Sequence, residues 1–176
     1  MFGVEAGIFD ERDEPLGEES QGEIRVKGKS VFLEYWGKPR ETEDAFCEGW
    51  FKTGDIAFLE RGGSYRILGR ESVDIIKSGG YKISALEIEE VLREHPLVEQ
   101  CAVVGVADPR WGERVGAALV LGEDSSIELE ELRGWASSRL ARYKLPTRLL
   151  LLSSLPRNSM GKVTKNRIKQ FFQNSL

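Results

Sequence analysis

Four places in this 176-residue sequence carry residue types that could do chemistry. Asp55 follows Thr53-Gly54, and a carboxylate at such a turn can accept hydrogen bonds from two adjacent hydroxyl groups. Arg70 offers a fork of donors that suits hydroxyl and phosphate oxygens. Gly79-Gly80 would let the backbone approach a ligand closely, and Lys162 carries an ammonium group that could stabilise developing negative charge.

Each candidate also has an ordinary structural explanation. Asp55 could stabilise only its own turn, and Arg70 could form a surface ion pair with a neighbouring carboxylate. Gly79-Gly80 has the composition of a hairpin turn, and an exposed lysine beside a glycine, such as Lys162, is usually solvated surface. The sequence contains none of the general motifs GxxxxGK[ST], GxGxxG or GxSxG. Residue types alone therefore predict no particular reaction.

Four longer segments together resemble the adenylate-forming superfamily, which includes acyl-CoA synthetases, peptide-synthetase adenylation domains and luciferases. Residues 50–55 (WFKTGD) look like its aromatic-[RK]-TGD motif, and residues 69–83 (GRESVDIIKSGGYKI) look like its hinge and glycine-loop motif. Residues 140–146 (LARYKLP) resemble a further shared segment, and residues 156–162 (PRNSMGK) resemble the terminal motif with the catalytic lysine. One such motif would be weak, but four in the same order and spacing are specific.

The resemblance implies a reaction and a role for each candidate. The family joins a carboxylate to ATP as an acyl-adenylate with release of pyrophosphate, and its CoA ligases then transfer the acyl group to CoA. Asp55 and Arg70 would bind the ribose of ATP or AMP, and Lys162 would be catalytic and contact the α-phosphate. Ser72 stands at the hinge position, where the family often has Asp or Lys. The implied CoA channel is bordered by Ser78, Gly79 and Gly80.

The same resemblance predicts an α+β fold with an incomplete first part. Residues 1–69 would be the β-rich end of a large AMP-binding domain, residues 70–72 the hinge and residues 73–176 the mobile C-terminal domain. The phosphate loop and acyl pocket of the family do not occur in this sequence. We therefore expect the chain alone to be inactive, with ATP and CoA as substrates of the full-length enzyme. Mg²⁺ should accompany ATP with its ligands elsewhere, and no metal site is predicted here.

Local patterns predict the elements that must position these residues. Residues 24–27 alternate as a half-buried strand, residues 39–46 form a short helix or loop, and Arg61-Gly62-Gly63-Ser64 marks a hairpin. Short strands are expected at residues 73–77 and 81–83. Ser84 and Glu87 then have the spacing of a capping box.

Further along, apolar spacing predicts three helices and three strands. The helix after Ser84 should bury Ile88, Val91, Leu92 and His95 on one face. Apolar runs predict strands at residues 101–106, 115–121 and 148–152. A second helix is expected over residues 128–140, stopped by Pro146, and a last one from Thr164 to about Phe172.

Composition limits the other possibilities. With 40% hydrophobic residues, 31% charged residues and a net charge of −4, the chain is typical of a globular protein and binds no nucleic acid through overall charge. No apolar run reaches the roughly 18 residues of a membrane span. Three basic residues after Lys162 are expected on a solvated helix face: Lys165, Arg167 and Lys169.

The cysteines, the histidine and the N-terminal residues suggest no further chemistry. Cys47 and Cys101 are isolated, which predicts two buried free thiols with neither a zinc site nor a disulfide. His95 should help to end a helix. Neither a signal peptide nor a transit peptide is recognisable, so we expect an intracellular protein, cytoplasmic or mitochondrial.

Residues 72–89, 143–147 and 155–162 are more similar to malonyl-CoA synthetases than to typical fatty-acid or acetate enzymes. The small carboxylic acid would then be malonate or a similar short dicarboxylate. Two alternatives stay open, which are an adenylation domain that loads a carrier protein and a non-catalytic remnant.

Overall fold

The computed structural model describes residues 3–174, and the chain divides into two compact units. The first unit ends at Ser72 and the second begins at Val73. A short helix, Glu71–Asp74, contains the point of division. Among residues 3–174, the helices are all too short or too polar to cross a membrane.

The first unit is one antiparallel sheet of six strands with a single short helix. The elements are β1 (Val4–Phe9), β2 (Pro15–Leu16), β3 (Ser20–Gly28), α1 (Pro39–Ala45), β4 (Phe46–Cys47), β5 (Trp50–Leu59) and β6 (Tyr65–Arg70). The strand order is β2-β1-β3-β5-β4, and β6 pairs with the other end of β5.

Turn chemistry explains the β5–β6 hairpin, which was predicted from the sequence. Gly62 and Gly63 have φ angles of 95° and 85°, which residues with side chains rarely adopt.

The segment before β4 is a helix rather than a loop, with Pro39 in its first turn, where a missing N–H costs nothing. In β3 the sequence pattern misleads, because Arg25 is 4% exposed while Ile24 and Val26 are only half-buried.

The second unit is a five-stranded sheet with helices on both faces. After α2 (Glu71–Asp74) the elements are β7 (Ile75–Ser78), β8 (Tyr81–Ser84), α3 (Ala85–Arg93), β9 (Val98–Asp108), β10 (Gly112–Leu121), α4 (Leu129–Ala136), a 3₁₀ turn (Arg142–Lys144), β11 (Arg148–Leu151) and α5 (Lys165–Asn174). The strand order of the sheet is β11-β10-β7-β8, and β9 pairs along β10.

Two apolar clusters cover the two faces of this sheet, which explains why β9 and β10 are continuously apolar. Val103 and Leu119 pack into a cluster that includes α3 and α4, with Leu132 fully buried. Val104 and Ala118 face the opposite cluster, where α5 contributes its own apolar side chains. Alternate residues of one strand therefore serve two separate cores.

Several predicted boundaries in this unit are confirmed and others are wrong. Ser84 accepts a hydrogen bond from the Glu87 N–H at 3.2 Å, so the predicted N-cap of α3 is confirmed. Strand β7 begins only at Ile75, because residues 73–74 belong to α2. Helix α4 ends at Ala136, well before Pro146, so proline is not its stop, although Leu140 is still buried.

The predictions for the cysteines and the histidine were largely correct. Both cysteines are free, and Cys101 is buried while Cys47 is half-buried. His95 lies just after α3, and its Nδ1 accepts a hydrogen bond from the Leu97 N–H at 3.2 Å. Its ring packs edge-on against Trp135. The histidine therefore stabilises the segment that follows the C-terminal end of α3.

Candidate functional site

Asp55 and Arg70 are partners in the β5–β6 ladder of the first unit. Arg70 Nη2 lies 3.1 Å from Asp55 Oδ1. The two side chains are 54% and 35% exposed respectively, so both keep hydrogen-bonding capacity for a ligand. An ion pair this exposed contributes little to the free energy of unfolding. Stability alone therefore does not explain why these two residues are paired, and a binding role is compatible with their exposure.

The turn before Asp55 explains how its carboxylate is aimed. Gly54 has a φ angle of +73°, and the pairing of β3 with β5 shifts register at this point. The Thr53 hydroxyl donates to the Ile24 carbonyl at 2.6 Å and accepts from the Asp55 N–H at 3.1 Å. Such an irregularity bends a strand and redirects a side chain.

A partly exposed charge network centred on the buried Arg25 supports this turn, and no local sequence pattern indicates it. The Gly54 N–H donates to Glu23 Oε1 at 3.0 Å, and Arg25 Nε donates to Glu23 Oε2 at 2.8 Å. Arg25 also donates to Asp13, and this hydrogen bond lowers the pKa of the Asp13 carboxyl. The guanidinium lies over the Phe9 ring, 4.8 Å from its centroid.

An open groove of about 820 Å³ runs beside Asp55 in the first unit. Its lining combines aromatic, acidic and basic side chains, which is a suitable mixture for a nucleoside with its hydroxyl groups. Members of the lining include Glu23, Tyr35, Asp44, Phe51, Lys52, Asp55 and Arg70.

In the second unit, the glycine pair forms the two-residue turn between β7 and β8. Gly79 and Gly80 have φ angles of 56° and 85°, and Ser78 pairs with Tyr81 across the turn. Positive φ at both central positions is the type I′ geometry that suits a hairpin. The Gly79 N–H donates to the Trp111 carbonyl at 2.9 Å, so this turn is attached to the β9–β10 connection.

A groove of about 670 Å³ adjoins this turn, and its composition was not foreseen from the sequence. Tyr81 and Tyr143 stack with ring centroids 4.5 Å apart, and Trp111 lies beside Gly79. Aromatic faces and guanidinium groups together suit a base and its phosphates. Four arginines contribute to the lining: Arg110, Arg114, Arg133 and Arg142.

Lys162 is exposed at the end of a tight turn within residues 156–164, which we call the lysine turn. Asn158 Oδ1 accepts hydrogen bonds from the Met160 and Lys162 N–H groups, both at 3.0 Å. Gly161 has a φ angle of +80°. Within the described residues 3–174, the Lys162 ammonium forms no ion pair, so it is available to a ligand.

The lysine turn is held at its base from one side by Arg157. Its Nη1 donates to the Gly161 carbonyl at 2.8 Å, and its Nη2 donates to Gln100 Oε1 at 2.9 Å. Arg157 also pairs with Val163 in an isolated bridge. The turn is thereby attached to strand β9 through Gln100.

Lys165 contradicts the prediction of a solvated helix face. Only 9% of its side chain is exposed, and its Nζ lies 2.7 Å from both Asp74 Oδ1 and Glu89 Oε1. Arg93 Nη2 contacts the other oxygen of Glu89 at 3.0 Å. We call Asp74, Glu89 and Lys165 the buried ion cluster, and the exposed Arg93 contacts it from outside. Its partners are far apart in sequence, which is why the basic run alone could not reveal it.

Ser72 is exposed and lies within the short helix α2. The structure thus brings Asp55 and Arg70 together in the first unit, and places Lys162 and the glycine pair on separate segments of the second. Among residues 3–174, no three His, Cys, Asp or Glu side chains are grouped to hold a metal ion.

Fold and sequence together define the class of protein. Residues 87–162 match the family described as AMP-binding enzyme C-terminal domain. The second unit is the small C-terminal domain of adenylate-forming enzymes, and the whole chain is similar to acyl-CoA synthetases of that class.

Particular relatives are similar over nearly the whole chain. It is 50% identical to malonate–CoA ligase from Arabidopsis thaliana, over 98% of this chain and 30% of that protein. It is 54% identical to mitochondrial malonate–CoA ligase from Bos taurus, over 86% of this chain and 26% of that protein. The ATP-bound structure of MatB from Rhodopseudomonas palustris superimposes with a TM-score of 0.86 and 34% identity, over 98% of this chain and 35% of that one. The chain therefore spans about 30% of the length of the curated relatives that it matches.

Proposed function

We propose that this chain works as the C-terminal part of an ATP-dependent acyl-CoA synthetase whose acyl substrate is malonate or a similar short dicarboxylate. The overall reaction converts the carboxylate, ATP and CoA into acyl-CoA, AMP and pyrophosphate. The observation that carries the proposal is the 50% identity to a malonate–CoA ligase along 98% of the chain. The exposed Asp55–Arg70 pair and the free Lys162 are consistent with it.

In the first half-reaction, a carboxylate oxygen attacks the α-phosphorus of ATP and the bond to pyrophosphate breaks. Asp55 accepts hydrogen bonds from the ribose hydroxyls, and Arg70 donates to the same ligand. Lys162 stabilises charge that builds on the α-phosphate and on the attacking carboxylate. Its position at the end of a defined turn, with a free ammonium, suits that role.

In the second half-reaction, the CoA sulfur attacks the acyl carbon, the bond to AMP breaks and the thiol proton is released. The turn formed by Ser78, Gly79 and Gly80 borders the path of CoA. The adjoining groove, with its stacked tyrosines and its arginines, would take the nucleotide end of CoA. The absence of a side chain at Gly79 lets the Trp111 ring of this groove pack against the turn, since a Cβ there would lie 2.7 Å from Trp111 Cε3.

The domain roles belong to the same proposal. Residues 1–69 act as the end of the large domain, residues 70–72 as a hinge and residues 73–176 as the mobile domain. Ser72 changes its φ and ψ between the half-reactions, as small residues at the ends of elements do. Mg²⁺ accompanies ATP, and we propose a cytoplasmic or mitochondrial enzyme.

The test is to assay the full-length enzyme with malonate, methylmalonate and acetate. We expect ATP–pyrophosphate exchange and acyl-CoA formation, with malonate preferred. The chain alone should release no pyrophosphate above the blank. Transfer to a carrier protein rather than to CoA would support the alternative of a carrier-loading enzyme, and no exchange with any acid would contradict the proposal.

A further inference from the structure

Two cationic side chains, Arg157 near the start of the lysine turn and Lys165 just after its end, connect the turn to other elements of the second unit. On one side, Arg157 reaches Gln100 on β9. On the other side, Lys165 begins α5 directly after the turn and enters the buried ion cluster. The ends of the turn are therefore attached to different elements, and Lys162 stands between them.

The buried ion cluster is arranged to fix the position of Lys165. Its ammonium lies 2.7 Å from a carboxylate oxygen on α2 and 2.7 Å from one on α3. Glu89 Oε1 also accepts the Val103 N–H at 2.9 Å, so that carboxylate is itself held against β9. Three elements thus determine where the first residue of α5 lies.

Stability alone gives a weak reason for a lysine at this position. Buried ion pairs often contribute no more than apolar side chains of the same volume, because desolvation offsets their attraction. In some proteins their directional contacts instead fix one arrangement of the chain. An apolar residue at position 165 could join the neighbouring core of Ile168 and Phe172, but it would not select a register for α5.

We propose that Lys165 is a positioning residue for Lys162 and that the buried ion cluster sets the register of the lysine turn during adenylation. This inference rests on the proposed function, because it assumes that Lys162 acts on the α-phosphate. Lys165 itself touches no substrate. Its effect reaches the reaction through Thr164, whose N–H donates to the Pro156 carbonyl at 2.8 Å and closes the base of the turn.

The test compares Lys165→Met with Lys169→Met, which is a matched control on the same helix. Lys169 pairs with Glu113 at 3.4 Å and is 30% exposed, so its substitution removes an ion pair outside the cluster. In this chain, we expect the ¹⁵N order parameters of residues 158–164 to fall for Lys165→Met and to stay unchanged for Lys169→Met. This measurement requires no synthetase activity.

In the full-length enzyme, Lys165→Met should lower kcat for ATP–pyrophosphate exchange by roughly 10–100-fold, since a misplacement of about 1 Å can cost 10²-fold. The KM for ATP and the conversion of supplied acyl-adenylate to acyl-CoA should change little. Lys165→Arg, which keeps the charge, should recover part of the exchange rate.

Unchanged order parameters in folded Lys165→Met, or equal loss of both half-reactions, would overturn the inference. Should Lys165→Met not fold, Asp74→Asn replaces it, because this variant keeps the Lys165–Glu89 pair. A folded Asp74→Asn chain with an unaltered lysine turn would overturn the inference equally. Absence of exchange in the wild-type enzyme would instead contradict the proposed function, and the order parameters would still test the positioning role.

Discussion

Asp55 and Arg70 face each other across the β5–β6 ladder, with Arg70 Nη2 3.1 Å from Asp55 Oδ1. The ladder fixes their separation, so a ligand that binds one of them also meets the other. Because the pair is exposed, it costs little to open when hydroxyl groups replace the guanidinium as partners of the carboxylate. If the pair binds a ribose, as we propose, the ligand meets two side chains whose separation the backbone already fixes.

We therefore predict that Asp55→Ala in the full-length enzyme raises the KM for ATP by roughly 10–100-fold, corresponding to about 1.5–3 kcal/mol for hydrogen bonds to a charged group. The measurement is ATP–pyrophosphate exchange with ATP and 3′-deoxy-ATP. Wild type should discriminate against the deoxy nucleotide, and the variant should not.

The control for this prediction is Glu60→Ala, which removes the Arg66–Glu60 ion pair from the same hairpin. It should leave the KM for ATP unchanged. Full discrimination by Asp55→Ala would show that the carboxylate does not bind the ribose.

A second prediction concerns the glycine turn. A Cβ at Gly79 would lie 2.7 Å from Trp111 Cε3, whereas a Cβ at Gly80 would meet nothing within 4 Å. Both substitutions impose strain of about 1–2 kcal/mol at positive φ, but only Gly79→Ala displaces the tryptophan. We expect Gly79→Ala to raise the KM for CoA much more than Gly80→Ala does.

Exchange of ATP and pyrophosphate serves as the internal control for both glycine variants, because CoA takes no part in it. It should be nearly normal for each. An equal increase in the KM for CoA in Gly79→Ala and Gly80→Ala would argue against a role for the groove beside Trp111.

Local signals allowed the most accurate predictions from sequence. The β5–β6 hairpin and the Ser84 cap depend on residues within a few positions of each other, and both are present. Helix α4 was predicted too long because Leu140 keeps helical spacing, although it is buried after the helix has ended. Burial by itself does not distinguish a residue within a helix from a buried residue that follows the end of the helix.

Long-range charge pairing could not be predicted in the same way. Lys165 was assigned to a solvated face, yet its partners Asp74 and Glu89 lie on other elements. Arg25 is buried through contacts with Asp13 and Glu23, one of them twelve residues away. Nothing in a local pattern identifies which carboxylate will neutralise a given cation.

A third prediction follows from the buried thiol of Cys101. Burial raises the pKa of Cys101 from its ordinary 9.0 to about 11. Because the pKa is higher in the folded chain, the resulting stability is complete below about pH 9 and is lost as the pH rises towards about 11. In the Cys47→Ala chain, iodoacetamide at pH 9 should modify Cys101 slowly when folded and rapidly in urea. Rapid modification of the folded chain would contradict this.

A fourth prediction addresses the hinge. Proline at position 72 fixes φ near −65°, which the first turn of the short helix Glu71–Asp74 accepts. Ser72→Pro should therefore fold but prevent the change in backbone angles between the half-reactions. We expect adenylation to survive better than thioester formation when the two are assayed separately. Ser72→Ala is the control and should preserve both, and equal losses in Ser72→Pro would show that the hinge lies elsewhere.

The fifth prediction is that Lys162→Ala in the full-length enzyme impairs adenylation far more than thioester formation. Negative charge builds on the α-phosphate as the carboxylate attacks, and a cation held there stabilises the transition state more than the bound substrates. Loss of one such group typically costs about 10²–10³ in rate, or roughly 3–4 kcal/mol. Lys162 has no ion pair among the described residues, so its removal should leave the free energy of unfolding unchanged.

The measurements for Lys162→Ala are ATP–pyrophosphate exchange and CoA thioesterification of synthetic acyl-adenylate. Met160→Ala provides a matched control, because Met160 is 78% exposed in the same turn and contributes only its backbone N–H to Asn158. It should keep both activities. In the thioester step the ammonium has no phosphoryl attack to assist, so the lysine variant should still convert supplied adenylate. Normal exchange together with failed thioesterification would reverse the role assigned to Lys162.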